Sequence, residues 1–221
     1  MERSRYVIFD LDDTLVHSSA VREAFAVVAA EHGIGRDVLM RTLDELPGRP
    51  AHEIFSALGL CTAAADEATD RFLAELDDRN DQAPPVAYPD AGATLRELAA
   101  AGAQLVLSTG SSPERARRVL HEEGWQDGFT VVLGSDAHCP KGRGHYARLA
   151  AHAPDPAWTR RAVTVGDSRA YRRLGAEHGV PVRIGVDRDG DPAPLIAAGA
   201  THVVRALAEV VSIVKSVAVA A

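Results

Sequence analysis

Tyr6-Val7-Ile8-Phe9-Asp10-Leu11-Asp12-Asp13-Thr14-Leu15 joins an apolar run to a cluster of acids with no turn between them. The run has the character of a strand buried on both faces, as in a parallel sheet. Crowded carboxylates repel one another and resist desolvation, so packing gives no reason to set them at a strand end. A divalent cation gives one, and an oxygen-rich site of this charge suits magnesium.

Working outward, short β-branched runs recur at 104–107, 131–133, 162–165, 182–186 and 202–204. Helical patterns at 91–101, 113–123, 144–152, 171–178 and 192–198 separate them. Strands alternating with helices predict an α/β fold: a Rossmann-like, doubly wound parallel sheet with right-handed crossovers. Ligands of such sheets sit beyond the carboxyl ends of the strands. Asp10, Thr109 and Asp167 each fall at or just past a strand end, which predicts that they converge on one rim.

Residues 17–87 interrupt the alternation. The stretches 20–32, 37–46, 52–58 and 65–78 read as helices punctuated by Gly33, Gly35, Gly48 and Gly59, with no convincing strand among them. Asp81-Gln82-Ala83-Pro84-Pro85 reads as a linker back to the core. The expected organisation is a core of residues 1–16 and 88–221, with an all-helical cap, 17–87, inserted after the first strand. The terminal apolar stretch from Val210 reads as a closing core helix.

With 221 residues the chain is long enough to bury a proper core. A net charge of -7 argues against broad nucleic-acid or anionic-membrane binding. The two cysteines, Cys61 and Cys139, lie far apart, no secretory apolar segment follows Met1, and no apolar run reaches membrane-span length. The expectation is a cytoplasmic protein.

Phosphoryl transfer needs an in-line nucleophile, positive charge on the equatorial oxygens and a proton for the leaving group. Asp10 is the candidate nucleophile, able to form an acyl-phosphate that water then hydrolyses. Asp12 is the candidate general acid and base. Leu107-Ser108-Thr109-Gly110-Ser111 follows a strand, where the Thr109 hydroxyl and backbone amides at the next helix start would cradle an anion. Ser111-Ser112-Pro113-Glu114 has the form of a capping box with proline in the first turn. Lys141 could neutralise phosphate and the crowded acids, and Asp167, after the permissive Gly166, would complete a cation's ligands.

Together these motifs resemble the haloacid dehalogenase superfamily, and within it the magnesium-dependent phosphatases of the phosphoglycolate phosphatase and β-phosphoglucomutase-like subgroup, which carry a helical cap. Tyr88-Pro89-Asp90-Ala91, Gly179-Val180-Pro181-Val182 and Gly199-Ala200-Thr201-His202 are similar too. The resemblance implies Asp10 as nucleophile and metal ligand, and Asp12 as acid/base and backbone-carbonyl ligand. It assigns Thr109, Gly110 and Lys141 to phosphate and Asp167 to Mg2+. Arg49, in Pro47-Gly48-Arg49-Pro50-Ala51-His52, falls in what resembles the cap's specificity loop, with His52 beside it.

One position departs from the family pattern. The second acid expected four or five residues after Asp167 is replaced by Tyr171 and Arg172. Losing such a carboxylate can cost about ten- to a hundred-fold in metal affinity or activity. Other patterns are set aside: Asp187–Asp191 has its glycine misplaced for a calcium loop, His138-Cys139 lacks a second pair for zinc, and Ser18 and Ser19 have no base arranged beside them. The expected function is hydrolysis of a small phosphorylated metabolite through an aspartyl-phosphate. The alternatives are a weakened phosphate-binding or regulatory protein on the same fold and, behind it, a phosphomutase.

Overall fold

The computed structural model describes residues 5–17, 20–46, 49–135, 139, 141–153, 155–167, 175–188 and 190–219. Several residues singled out above lie outside them: Ser18, Ser19, Pro47, Gly48, His138, Tyr171, Arg172 and Asp189, and with them the first half of the helical pattern read at 171–178. The chain divides into two compact units, one of Met1–Val16 with Ala87–Ala221, the other of His17–Val86.

In chain order the elements are β1 (Tyr6–Phe9), β2 (Val16–His17), α1 (Ala20–Glu31), α2 (Arg36–Glu45), α3 (Ala51–Ala57), α4 (Thr62–Gln82) and β3 (Val86–Ala87). There follow α5 (Ala91–Ala100), β4 (Gln104–Ser108), α6 (Pro113–Glu122), β5 (Phe129–Leu133), α7 (Arg143–His152), β6 (Val163–Gly166), β7 (Val182–Val186), α8 (Ala193–Ala197), β8 (His202–Val204) and α9 (Ala208–Val219).

Six strands form one sheet in the order β5-β4-β1-β6-β7-β8, every neighbouring pair parallel. Counting core strands along the chain, this is the order 3-2-1-4-5-6, so the winding reverses between β1 and β6. That is where a doubly wound sheet opens a crevice for ligand. In register, Phe9 pairs with Leu107 on one side and Val165 on the other. Asp10 and Asp167 therefore leave adjacent strand ends at the reversal point.

β1 is apolar throughout because helices cover both of its faces. Val7 and Phe9 pack with Leu95 and Leu98 of α5, Val119 and Leu120 of α6 and Val210 and Val214 of α9. Tyr6 and Ile8 point the other way, into a cluster with Tyr146 and Leu149 of α7 and with Trp158. Burying side chains of this size contributes about 1.5–3 kcal/mol each, which fixes β1 at the centre of the sheet.

The helical unit has a core of its own around Phe25, Phe55 and Phe72. Phe25 and Phe72 stack at 4.1 Å between ring centroids, and Phe55 meets Phe72 edge-on at 6.4 Å. Two expectations need correction here. Asp81 and Gln82 belong to α4, because nothing in their chemistry stops a helix. The stop comes at Ala83, which Pro84 drives out of the helical region, to φ -141° and ψ 86°. The short β2 and β3 also pair as a two-stranded sheet, too short to show any period in the sequence.

Neither cysteine is part of a disulfide; Cys61 is exposed and Cys139 is buried. Among the described residues no helix is long and apolar enough to cross a membrane.

Candidate active site

Asp10 is buried, 4% exposed, at the end of β1. Its amide donates to the Val165 carbonyl at 2.9 Å, which continues the β1–β6 ladder one residue beyond the strand. One carboxylate oxygen accepts from the Leu11 amide at 2.8 Å; the other takes the Lys141 ammonium at 2.5 Å. Both side chains of this ion pair are 6% exposed. A buried carboxylate held by a backbone N–H and a cation is oriented, and these contacts replace the hydration it gave up.

The acidic loop then turns sharply. Asp13 takes a positive φ of 54°, which aspartate tolerates better than most residues, and its amide donates to Val16 O at 2.7 Å. Thr14 faces the neighbouring strand end: its hydroxyl lies 3.3 Å from Asp167 Oδ1 and accepts from the Asp167 amide at 3.1 Å. Arg188, just past β7, donates to Thr14 O at 3.0 Å and lies 3.6 Å over the Tyr88 ring. Sequence reasoning missed this brace, whose two ends are 174 residues apart.

Asp12 meets a partner that was not foreseen. Its Oδ1 accepts from Arg115 Nη2 at 2.7 Å, and its Oδ2 from Arg115 Nη1 at 3.0 Å and the Ser111 hydroxyl at 2.7 Å. Arg115 Nη1 also reaches the Ser111 hydroxyl. Burial pushes the Asp12 carboxyl up, but the charge and paired hydrogen bonds of Arg115, with Ser111 and Lys141, outweigh it and hold Asp12 below its ordinary value. In this state Asp12 is a carboxylate, able to accept a proton. To donate one it must first be protonated, against the pull of Arg115.

Arg115 stands in the first turn of α6. The helix is capped by Ser112, whose hydroxyl accepts from the Arg115 amide at 3.2 Å, with Pro113 at its start. The expected capping box is therefore corrected: the cap comes one residue later, and the third helical position holds Arg115 instead of Glu114. A signal was available, since helical spacing puts Arg115 on the same inward face as Val119. Arg115 is 2% exposed.

Thr109 is fully buried; its amide donates to Leu133 O at 3.0 Å, and its hydroxyl accepts from the Ser111 amide at 3.1 Å. Gly110 is exposed beside it. Arg49 lies in the helical unit, where its guanidinium pairs with Glu53 at 2.8 Å, and His52 lies 3.3 Å from Asp66.

Behind Thr109 lies His145, fully buried in α7. Its Nε2–H donates to Gly134 O at 3.2 Å and its Nδ1 accepts from the Ser108 hydroxyl at 2.8 Å, the tautomer that satisfies both contacts. Burial, assisted by the nearby Lys141 charge, lowers its pKa from 6.5 to about 4, although the Gly134 bond opposes the shift. The unfolded chain thus takes up this proton near pH 6.5 and the folded one only near 4. Stability is fully present above that window, falls as pH drops through it, and stops falling below it. The loss is roughly 3 kcal/mol. Urea unfolding at pH 7 and pH 4 should show His145→Gln losing correspondingly less than wild type; equal losses would exclude the assignment.

Magnesium can be tested against the donors present. Among the described residues no three His, Cys, Asp or Glu side chains gather as a ready-made cage. The candidate set is the two carboxylates that leave adjacent strand ends, Asp10 and Asp167, with the backbone carbonyl of Asp12 that the family resemblance implies. All are hard oxygen donors, few enough to leave places for water, which is how Mg2+ prefers to bind. The residues fit the ion.

Comparison with known proteins gives the family of the chain. The family model for haloacid dehalogenase-like hydrolases matches residues 5–170. The chain belongs to that family. It is 34% identical over 202 residues to a phosphoglycolate phosphatase of Rhodospirillum rubrum, covering 80% of this chain and 77% of that protein. It is 32% identical over 185 residues to the tyrosine-protein kinase PtkA of Mycobacterium tuberculosis, covering 81% of this chain but 61% of the kinase. The chain thus spans about three fifths of the length of those kinases. A haloacid dehalogenase-like hydrolase from Streptococcus pneumoniae superposes with a TM-score of 0.74 at 22% identity, over 96% of this chain and 99% of that one, a likeness of fold.

Proposed function

We propose that this member of the haloacid dehalogenase-like hydrolases is a phosphomonoester hydrolase that works through a phosphoaspartate on Asp10. The observation that carries the reading is the Asp10 carboxylate: buried at the end of the central strand, oriented by Leu11 N–H and Lys141, and beside Asp167 at the winding reversal. A carboxylate oxygen of Asp10 attacks phosphorus, the bond to the leaving oxygen breaks, and the acyl-phosphate is later cleaved by water. Lys141 and Thr109, with the backbone at Gly110, hold the phosphoryl oxygens. Asp12 supplies the leaving group's proton and later accepts one from water. Magnesium, when held by Asp10, Asp167 and the Asp12 carbonyl, supplies positive charge that draws phosphate and nucleophile together. Arg49, in the helical unit, is the residue for which a role in substrate choice is proposed. The phosphatase relatives make a small phosphorylated carboxylic acid such as phosphoglycolate the first substrate to try, and the kinases an aryl phosphate the second.

The test is phosphate release from phosphoglycolate and p-nitrophenyl phosphate, with and without Mg2+. Release that needs the metal supports the reading, and a folded protein inactive on both and on a broad panel of phosphorylated metabolites excludes it. The ion pair of Asp12 with Arg115 favours a second reading, a phosphate-ligand binder with weakened chemistry. In that case phosphate raises the melting temperature and no phosphomonoester is consumed.

A further inference from the structure

The exit of β5, Gly134-Ser135, touches every segment read above as the phosphate cradle, yet no motif includes it. The Ser135 hydroxyl donates to Thr109 O at 3.0 Å and accepts from the Lys141 amide at 2.8 Å. The Ser135 amide donates to Ser111 O at 2.7 Å. One residue earlier, Gly134 O accepts from His145 Nε2–H, while the same ring holds the Ser108 hydroxyl. A Cβ on Gly134 would fall 2.4 Å from Pro113 N and 2.7 Å from Ser112 C, so this exit and the cap of α6 meet backbone to backbone.

A serine hydroxyl has one proton to give, and here it gives it to the Thr109 carbonyl while a lone pair takes the Lys141 N–H. Alanine at 135 would leave that N–H without this acceptor and release the carbonyl beside Thr109. The Lys141 ammonium, 2.5 Å from the Asp10 carboxylate, is placed by a backbone that Ser135 ties down.

We infer that Ser135 is a positioning residue: its hydroxyl sets the separation between the Thr109 loop and Lys141, and so the fit of the cradle to a phosphoryl group. This rests on the reading of Thr109 and Lys141 as the phosphate site. Ser135 touches no substrate; it acts through the two residues that do. Misplacing reacting groups by about 1 Å can cost about a hundred-fold in rate.

The experiment measures inorganic phosphate affinity by calorimetry, and kcat and KM on p-nitrophenyl phosphate, for wild type, Ser135→Ala and Ser135→Thr. Ser135→Ala should weaken phosphate binding and lower kcat by about ten- to a hundred-fold. Ser135→Thr, which keeps the hydroxyl, should restore both. A folded Ser135→Ala with wild-type affinity and wild-type kcat overturns the inference, as does a threonine variant no better than alanine. If the wild type hydrolyses nothing, the hydrolase reading fails alone, and the phosphate affinities still decide the role of Ser135. A wild type with neither affinity for phosphate nor turnover overturns both. Should Ser135→Ala not fold, Ser135→Cys, with its weaker donor and acceptor, is read the same way.

Discussion

Asp10→Asn should lower turnover by about 10^4-fold or more, the scale seen when a nucleophile is removed from an assembled site. An amide oxygen is too poor a nucleophile to form the acyl-phosphate, and the change removes the charge that faces Lys141. Both side chains of that pair are almost completely buried. Leaving one member of a buried ion pair alone costs about 3–5 kcal/mol, and retention of one amide oxygen near Lys141 puts the expected loss at the lower end. Phosphate release and urea unfolding measured on the same preparation separate the two effects. Asp10→Ala, which cannot revert by deamidation, is the companion variant. Turnover above about a hundredth of wild type in both would rule out Asp10 as nucleophile.

Arg115→Ala should be among the most destabilising substitutions in the α/β unit, by about 3 kcal/mol at neutral pH. The Arg115 side chain is 2% exposed and that of Asp12 23%, so the carboxylate left behind is only partly able to recover water. With Arg115 gone, burial dominates and the Asp12 carboxyl rises. The wild-type pair holds the folded carboxyl below the ordinary 3.8, so its contribution is present above that pH and is lost as pH falls through the lowered folded value. The gap between wild type and Arg115→Ala should therefore be widest at neutral pH, begin to close as pH falls through the raised Asp12 value of the variant, and go on closing as pH falls through the lowered value of the wild type. A double-mutant cycle with Asp12→Asn measures the coupling directly, and a value under about 0.5 kcal/mol would show that the contact stabilises nothing. In the active protein the limb of the pH–rate profile that Asp12 sets should move to higher pH in Arg115→Ala, because Asp12 then holds its proton more readily.

The strands and helices of the α/β unit were legible because their signals are local. β7 and β8 run over the residues their β-branched pattern marks, and the strand-end acids stand where an apolar run stops. The end of α4 was less legible, because Asp81 and Gln82 neither favour nor forbid a helix and only Pro84 ends it. Arg115 was harder still. It sits close to Arg117 and Arg118, and the three differ in burial, not in chemistry: Arg115 is buried, Arg118 half-buried and Arg117 exposed.

By itself the sequence determined the α/β class, the burial of β1 on both faces and the identity of the acids at its end. Periodicity and strand-end chemistry are written in neighbouring residues, and any fold of this chain must honour them. Only the tertiary structure decided the partners: Arg115 for Asp12 across 103 residues, Lys141 for Asp10 across 131, and Ser135 between Thr109 and Lys141. A charge or hydroxyl carries no address in one dimension. Its partner is whichever group the packed sheet brings within hydrogen-bonding distance, and burial then makes leaving that group unpaired costly.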